Sequence, residues 1–294
     1  MILVTGATGS IGRHLVGLLR DRATPFRALV RDEAKASSLG CDVVVGDFDD
    51  PASLIPAMEG VDRLFLNAGG AQPVDGEQPM IRQQKAAIDA ARAAGVSQVV
   101  KVSVWHARHG GRLAEGAHWE VEEYLKGSGL GWTMLQPSGF MQNFITGAGA
   151  FSADGKLLDP YAGVPVSYID CHDIAACAAA LLTGSPGPGA THVLTGPRGL
   201  THAQVAEELS AVLGRTVGCV ALPPDELAAA LRARGLPASF ADDVAELSRQ
   251  VATGYLAATT TAVQELTGRP PRTFAQFAAA NAEALRTGLA AATS

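Results

Sequence analysis

The chain has 294 residues, and 29 acidic against 23 basic side chains give it a formal charge of −6. That balance excludes nucleic acid as a main partner, because neutralising phosphates takes a basic face. Hydrophobic residues make up 47% and charged residues 18%, so the chain can build a large core and lies outside the disordered class.

Ile2–Thr5 reads as a first strand, and Ile11, Leu15, Leu18 and Leu19 then recur at helical spacing. Between them runs Thr5-Gly6-Ala7-Thr8-Gly9-Ser10-Ile11-Gly12. Strand, glycine turn and helix together make a phosphate-binding turn: Gly6 permits the tight turn, Gly9 lets a pyrophosphate approach, and Gly12 lets helix and strand pack closely. The helix N-terminus adds free N–H groups and partial positive charge. Gly6, Thr8, Gly9, Ser10, Ile11 and Gly12 are therefore predicted to hold a dinucleotide.

The second strand, Phe26–Val30, is closed by Arg31. An acidic residue there would bond a ribose 2′-hydroxyl and repel a 2′-phosphate, whereas a guanidinium pairs with the phosphate, so NADP(H) is predicted over NAD(H). Asp32 beside it is an opposing charge, and Arg13 is read as a surface side chain. Val43–Val45 leads into Gly46-Asp47-Phe48-Asp49-Asp50, where Asp50 is better placed than Asp47 to cap a helix from Pro51. Leu64–Leu66 is followed by Asn67-Ala68-Gly69-Gly70, and Ile81, Ile88 and Ala91 mark a helix before Val99–Val104. Trp132–Leu135 is a sixth strand. Apolar strands alternating with helices predict an α/β fold with a doubly wound parallel sheet.

After Pro137 the elements shorten, and Ser185-Pro186-Gly187-Pro188-Gly189 interrupts them. His192–Leu194 is expected to rejoin the sheet, completing it over 190–196. From about 200 to 290 the pattern is helical, with Val205, Leu209, Val212 and Leu213 on one stripe and Leu227 and Leu231 on another. The expected division is a dinucleotide-binding domain over 1–145 and a smaller, mostly helical C-terminal lobe over 146–294 that selects the substrate over the carboxyl edge of the sheet. Cys41, Cys171, Cys177 and Cys219 are too scattered to suggest a disulfide framework or a zinc site, and no metal is expected. No apolar run reaches about 18 residues, so no membrane partner is expected and the cytoplasm is the expected location.

The Thr-Gly-x-x-Gly-x-x-Gly turn resembles that of the short-chain dehydrogenase/reductase superfamily. Thr5–Gly9, Leu29-Val30-Arg31, Gly46–Asp50 and Thr133–Asn143 are similar to its atypical NmrA-like branch over about the first 145 residues. Beyond that the likeness is one of layout, through Tyr168–Ala175. The resemblance implies a Rossmann-like fold, adenine contacts from Asp47 and Phe48, and further cofactor contacts at Asn67, Ala68 and Gly69. Val102 and Pro137, at the carboxyl ends of the fifth and sixth strands, are expected to border the nicotinamide. The protein is expected to be a monomer or a homodimer.

Typical members of the superfamily carry a tyrosine four residues before a lysine as the proton-donating pair. Here Tyr124 has no such lysine, and His118 stands near the tyrosine's place with Glu122 one helical turn on. His118 is predicted as the proton donor, Glu122 as the group that orients it or raises its pKa, and Ser103 as a hydroxyl for a substrate carbonyl. The plainer reading makes His118 and Glu122 an exposed pair. Lys101 is read as an edge or ribose-side charge. His106 is placed toward the substrate, in a loop where it and His109 are read as solvated. Phe140, Met141 and Phe144 are read as an apolar wall for a flat substrate or as core, and Asn143 is placed beside them. The expected function is an NADPH-dependent reductase of a small apolar carbonyl, enone or quinone-like compound. The alternatives are an NADP(H)-binding redox sensor without turnover, or a redox-neutral isomerase or cyclase.

Overall fold

The computed structural model describes residues 1–146, 150–185 and 189–292, so Pro186-Gly187-Pro188 lies outside the described residues. Its first half alternates strand and helix: β1 (Ile2–Val4), α1 (Ser10–Asp21), β2 (Phe26–Val30), β3 (Val43–Val45), α2 (Pro51–Ala57), β4 (Arg63–Leu66), α3 (Pro79–Ala93), β5 (Gln98–Val102), α4 (Ala114–Lys126) and β6 (Gly131–Pro137). The second half holds α5 (Asn143–Thr146), β7 (Leu157–Asp159), α6 (Cys171–Thr183), β8 (Ala190–Leu194), α7 (His202–Leu213) and β9 (Cys219–Ala221). It ends with α8 (Pro224–Ala233), α9 (Ala238–Val251), α10 (Ala262–Thr267), α11 (Phe274–Ala280) and α12 (Ala282–Ala292).

Seven strands form one parallel sheet in the order β3-β2-β1-β4-β5-β6-β8. The order reverses between β1 and β4, which opens a crevice at the carboxyl ends of these strands. The predicted strands are all present with their ends moved by a residue or two, and the doubly wound fold class holds. Alternation within each strand divides the core. Ile2, Val4, Ala28, Val30, Val100 and Val102 pack with α1 and α6, while Leu3, Leu29, Leu64, Leu66 and Val99 pack with α2, α3 and α4. Both faces are thus covered, as a parallel sheet requires.

The second lobe adds a two-stranded parallel sheet of β7 and β9, which sequence patterning did not predict, with α5, α7, α11 and α12 around a core of Phe144, Leu157, Tyr168, Val205, Leu209, Phe274 and Phe277. Within the range 146–294 not everything lies over the carboxyl edge. Helix α6 packs along α1 on the face of the main sheet, and α10 packs on α6 and β8. No helix among the described residues is long and apolar enough to cross a membrane.

Candidate active site

The glycine turn is shaped by backbone. Gly6 has φ +62°, and a Cβ there would lie 2.8 Å from the Asn67 carbonyl oxygen; one on Gly12 would lie 2.1 Å from the Gly6 oxygen. Thr5, fully buried, ties the turn to β4: its hydroxyl, which shares its one hydrogen between the Phe65 and Asn67 carbonyls, also accepts from the Asn67 N–H, all at 2.9 Å. Thr8, Gly9 and Ser10 are exposed at the start of α1, where Gly9 is the N-cap and no side chain caps the helix. The N–H groups of that first turn carry no side-chain cap and are open to an anion, whereas the Gly9 N–H is spent on the Gly6 carbonyl at 3.0 Å. Ile11, by contrast, is core, so its share in the site is its backbone.

From this turn a cleft of about 560 Å³ runs along the carboxyl ends of β1, β2, β3 and β4, lined by Gly6, Thr8, Arg31, Asp47, Phe48, Asn67, Ala68 and Gly69, all predicted cofactor residues. Sequence reasoning missed Asp49, Gln72 and Gln83, which also line it. Arg31 is exposed at the cleft, while Asp32 accepts from the Ala34 N–H at 3.0 Å and so caps the 3-10 turn that follows. Asp47 accepts from the Asp49 N–H, and Asp50, although it sits at the N-cap of α2, makes no side-chain cap bond. Ser53, in the first turn of α2, instead ties the preceding loop to the helix, donating to the Asp50 carbonyl at 2.6 Å and accepting from the Asp47 N–H at 2.9 Å. The glycine cradle and the open helix N-terminus fit a dinucleotide phosphate, and Arg31 is, among the described residues that line the cleft, the one cationic side chain at a mouth it shares with Asp32, Asp47 and Asp49.

At the carboxyl ends of β5 and β6, outside the residues that line this cleft, lies a buried polar cluster. Lys101 is fully buried, its Nζ 2.8 Å from His118 Nδ1 and donating to the Val102 carbonyl at 3.2 Å. Glu122 is buried too, accepting from Ser103 Oγ at 2.5 Å and Gln136 Nε2 at 2.9 Å. These contacts correct five expectations. His118 and Glu122 are not an exposed pair, since 8% and 3% of their surfaces remain. Glu122 does not orient His118; Lys101 does. Burial, and then the Lys101 charge, push the His118 pKa well below its ordinary value rather than raising it. Lys101 is no edge charge, because β5 lies between β4 and β6 and period-two alternation turns it, like Val99, toward the α3 and α4 face. Ser103 spends its hydroxyl hydrogen on Glu122 and offers a ligand only lone pairs. A lysine inside the run Val99-Val100-Lys101-Val102 was the signal for this cluster.

Val102 is buried in the core facing α1 and α6, and the buried Pro137 accepts from the Trp105 N–H at 3.0 Å, bracing the loop after β5. His106 is half-buried rather than solvated. With φ +64° it stacks on Trp105, meets the Tyr255 ring and bonds the Tyr255 carbonyl at 2.9 Å, which ties this loop to the second lobe. His109 is exposed, edge-on to Trp119. Met141 and Phe144 form no wall for a substrate; both are buried in the second core. Phe140 is half-buried against the first core, and Asn143 is exposed at the start of α5. A larger cavity of about 900 Å³ opens beyond the 72–78 loop, between Trp119 and Phe240, without the glycine cradle.

A sequence profile described as the NmrA-like family matches residues 1–277. The chain is 39% identical over 289 residues to an NAD(P)H azoreductase of Xenophilus azovorans, covering 97% of this chain and 99% of that one. An NADPH-dependent quinone oxidoreductase of Escherichia coli, solved with NADPH, superimposes with a TM-score of 0.81 at 30% identity, over 94% of this chain and 98% of that one. A triphenylmethane reductase of a Citrobacter species, solved with NADP(H), gives 0.80 at 25% identity over 98% and 100%.

Proposed function

The chain belongs to the NmrA-like family, and from that premise we propose that it is an NADPH-dependent reductase of a small apolar carbonyl, enone or quinone-like compound. An NAD(P)H-dependent oxidoreductase is also what its named relatives indicate. The observation that carries the reading is the backbone cradle at Gly6 and Gly12 opening into a cleft with Arg31 at its mouth. Gly9, Ser10 and the first turn of α1 would hold the pyrophosphate, Asp47 and Phe48 the adenine end, and Arg31 the 2′-phosphate. NADPH, when bound, supplies the reducing equivalent. The chain's own work is to orient, to keep water out and to deliver a proton, and His118 is the group for that proton.

Titration with NADPH and NADH, followed by nicotinamide fluorescence, tests the first half; NADPH oxidation on adding a small naphthoquinone or enone tests the second. Tighter NADPH binding and acceptor-dependent oxidation are expected. Failure to bind either nucleotide would remove the reading, and binding without turnover on any acceptor would favour a sensor. Arg31→Ser is expected to weaken NADPH about 10- to 100-fold and leave NADH nearly unchanged, the loss of one charge-assisted phosphate contact. Equal losses for both nucleotides would take the 2′-phosphate away from Arg31.

A further inference from the structure

Packing alone does not call for a lysine at 101. It is among the largest fully buried side chains, on an interior strand, facing the side of the sheet where Val99, Leu64 and Leu66 are apolar. A buried ammonium costs several kcal/mol in desolvation, and a methionine of similar length would fill the same space without that cost. Its contacts offer a chemical reason. The Val102 carbonyl can only accept, and the second partner within reach is one ring nitrogen of His118, at 2.8 Å. An ammonium donates only, so the Nδ1 it meets must be the unprotonated nitrogen and the ring proton sits on Nε2.

Resting on the reductase reading, we infer that Lys101 is the proton reservoir of the site and His118 its relay, the lysine acting as a positioning residue through the imidazole. The step balances. A Lys101 Nζ–H bond breaks as a His118 Nδ1–H bond forms, while the His118 Nε2–H bond breaks and an O–H bond forms on the substrate oxygen carrying the electron pair gained in reduction. Neutral lysine and neutral histidine remain, and solvent restores the proton after release. Neither residue alone suffices, since a neutral imidazole without the lysine would be left as an anion.

The surroundings set the pH at which the reservoir empties. Burial lowers the Lys101 pKa to about 7, with the Glu122 carboxylate on α4 opposing it. Glu122 is itself held by Ser103, Gln136 and, at 3.8 Å, Lys126. His118 stays neutral over the same range, because burial and the lysine charge hold its pKa well below 6.5. Lys101 is therefore charged below about pH 7 and loses its proton above it, so proton delivery falls as pH rises.

Two measurements test this. Nuclear magnetic resonance of the free protein with isotope-labelled histidine, at about pH 6, is expected to show His118 as the Nε2–H tautomer with Nδ1 accepting; the signal is assigned by its loss in His118→Gln. An Nδ1–H ring or an imidazolium would overturn the inference. In turnover with NADPH and a naphthoquinone, kcat of the native protein is expected to fall about tenfold per pH unit above about pH 7. Lys101→Met is expected to lower kcat about 100-fold, to flatten that descent and to leave the NADPH Kd unchanged. A merely structural lysine would alter stability and spare the descent, and a descent that survives in Lys101→Met overturns the relay. The tautomer is read on the native chain without cofactor, so a poorly folding variant does not leave the question open. Native protein that binds NADPH yet reduces no acceptor would sink the reductase reading, which is a different result from either.

Discussion

Gly12→Ala is expected to abolish NADPH binding, raising Kd by more than about 100-fold, and to cost on the order of 3 kcal/mol of folding stability. The reason is steric and local. A Cβ at this position would lie 2.1 Å from the Gly6 oxygen, 2.6 Å from Ala7 Cα and 2.7 Å from the Gly6 carbonyl carbon. All three are backbone atoms of the turn itself, so no side chain can swing aside. Either α1 withdraws from β1 or the turn opens, and both moves displace the N–H groups proposed to face the phosphates. Gly17→Ala supplies the control on the same helix: nothing lies within 4 Å of that Cβ, so a gain of about 0.5–1 kcal/mol is expected from better helix propensity. Isothermal titration and thermal melts of the two variants decide the matter. A Gly12→Ala protein that bound NADPH at native affinity would mean that the cradle is not the phosphate site.

His118→Gln is expected to lower kcat by about 10²- to 10⁴-fold, with NADPH affinity within about twofold of native. Glutamine is the informative replacement because its amide oxygen can still accept from Lys101, so the buried ammonium keeps a partner. His118→Ala should show the same kinetic loss plus a stability cost of about 1–3 kcal/mol, since it leaves the Lys101 donor, 2.8 Å from the native Nδ1, facing a cavity. Comparing the two variants by steady-state kinetics and denaturant unfolding separates chemistry from packing. If His118→Gln turns over at the native rate, the proton comes from elsewhere, and Ser103 is a poor substitute while its hydrogen is committed to Glu122.

Much of the geometry of the candidate cofactor cleft is legible in the residues, because the signals there are local. The glycines at 6, 9 and 12 follow a strand and open a helix, and Arg31 closes the second strand, which is all the adjacency a phosphate turn needs. The buried cluster is different, since each of its bonds crosses between elements. The spacing of His118 and Glu122 placed both on one helical face, but only the strand order shows that β5 is interior and that Lys101 meets one of them while Ser103 meets the other. The second lobe was least legible. Strands of three residues such as Leu157–Asp159 and Cys219–Ala221 carry too few residues to show a period, and Met141 is an apolar side chain whose role depends on which core it meets.

The crossing of the chain between its two halves bears on how such a protein can diversify. Helix α6 lies along α1, and β8 extends the main sheet beside β6, yet both are spelled by residues that follow the first segments of the second lobe. A fragment ending near residue 145 would leave the β6 edge unpaired and the apolar flank of α1 bare. The second lobe is therefore not a cassette that recombination could exchange for another. Changes in the second lobe that keep α6 on α1 and β8 beside β6, such as point changes and loop insertions, would disturb the main sheet least.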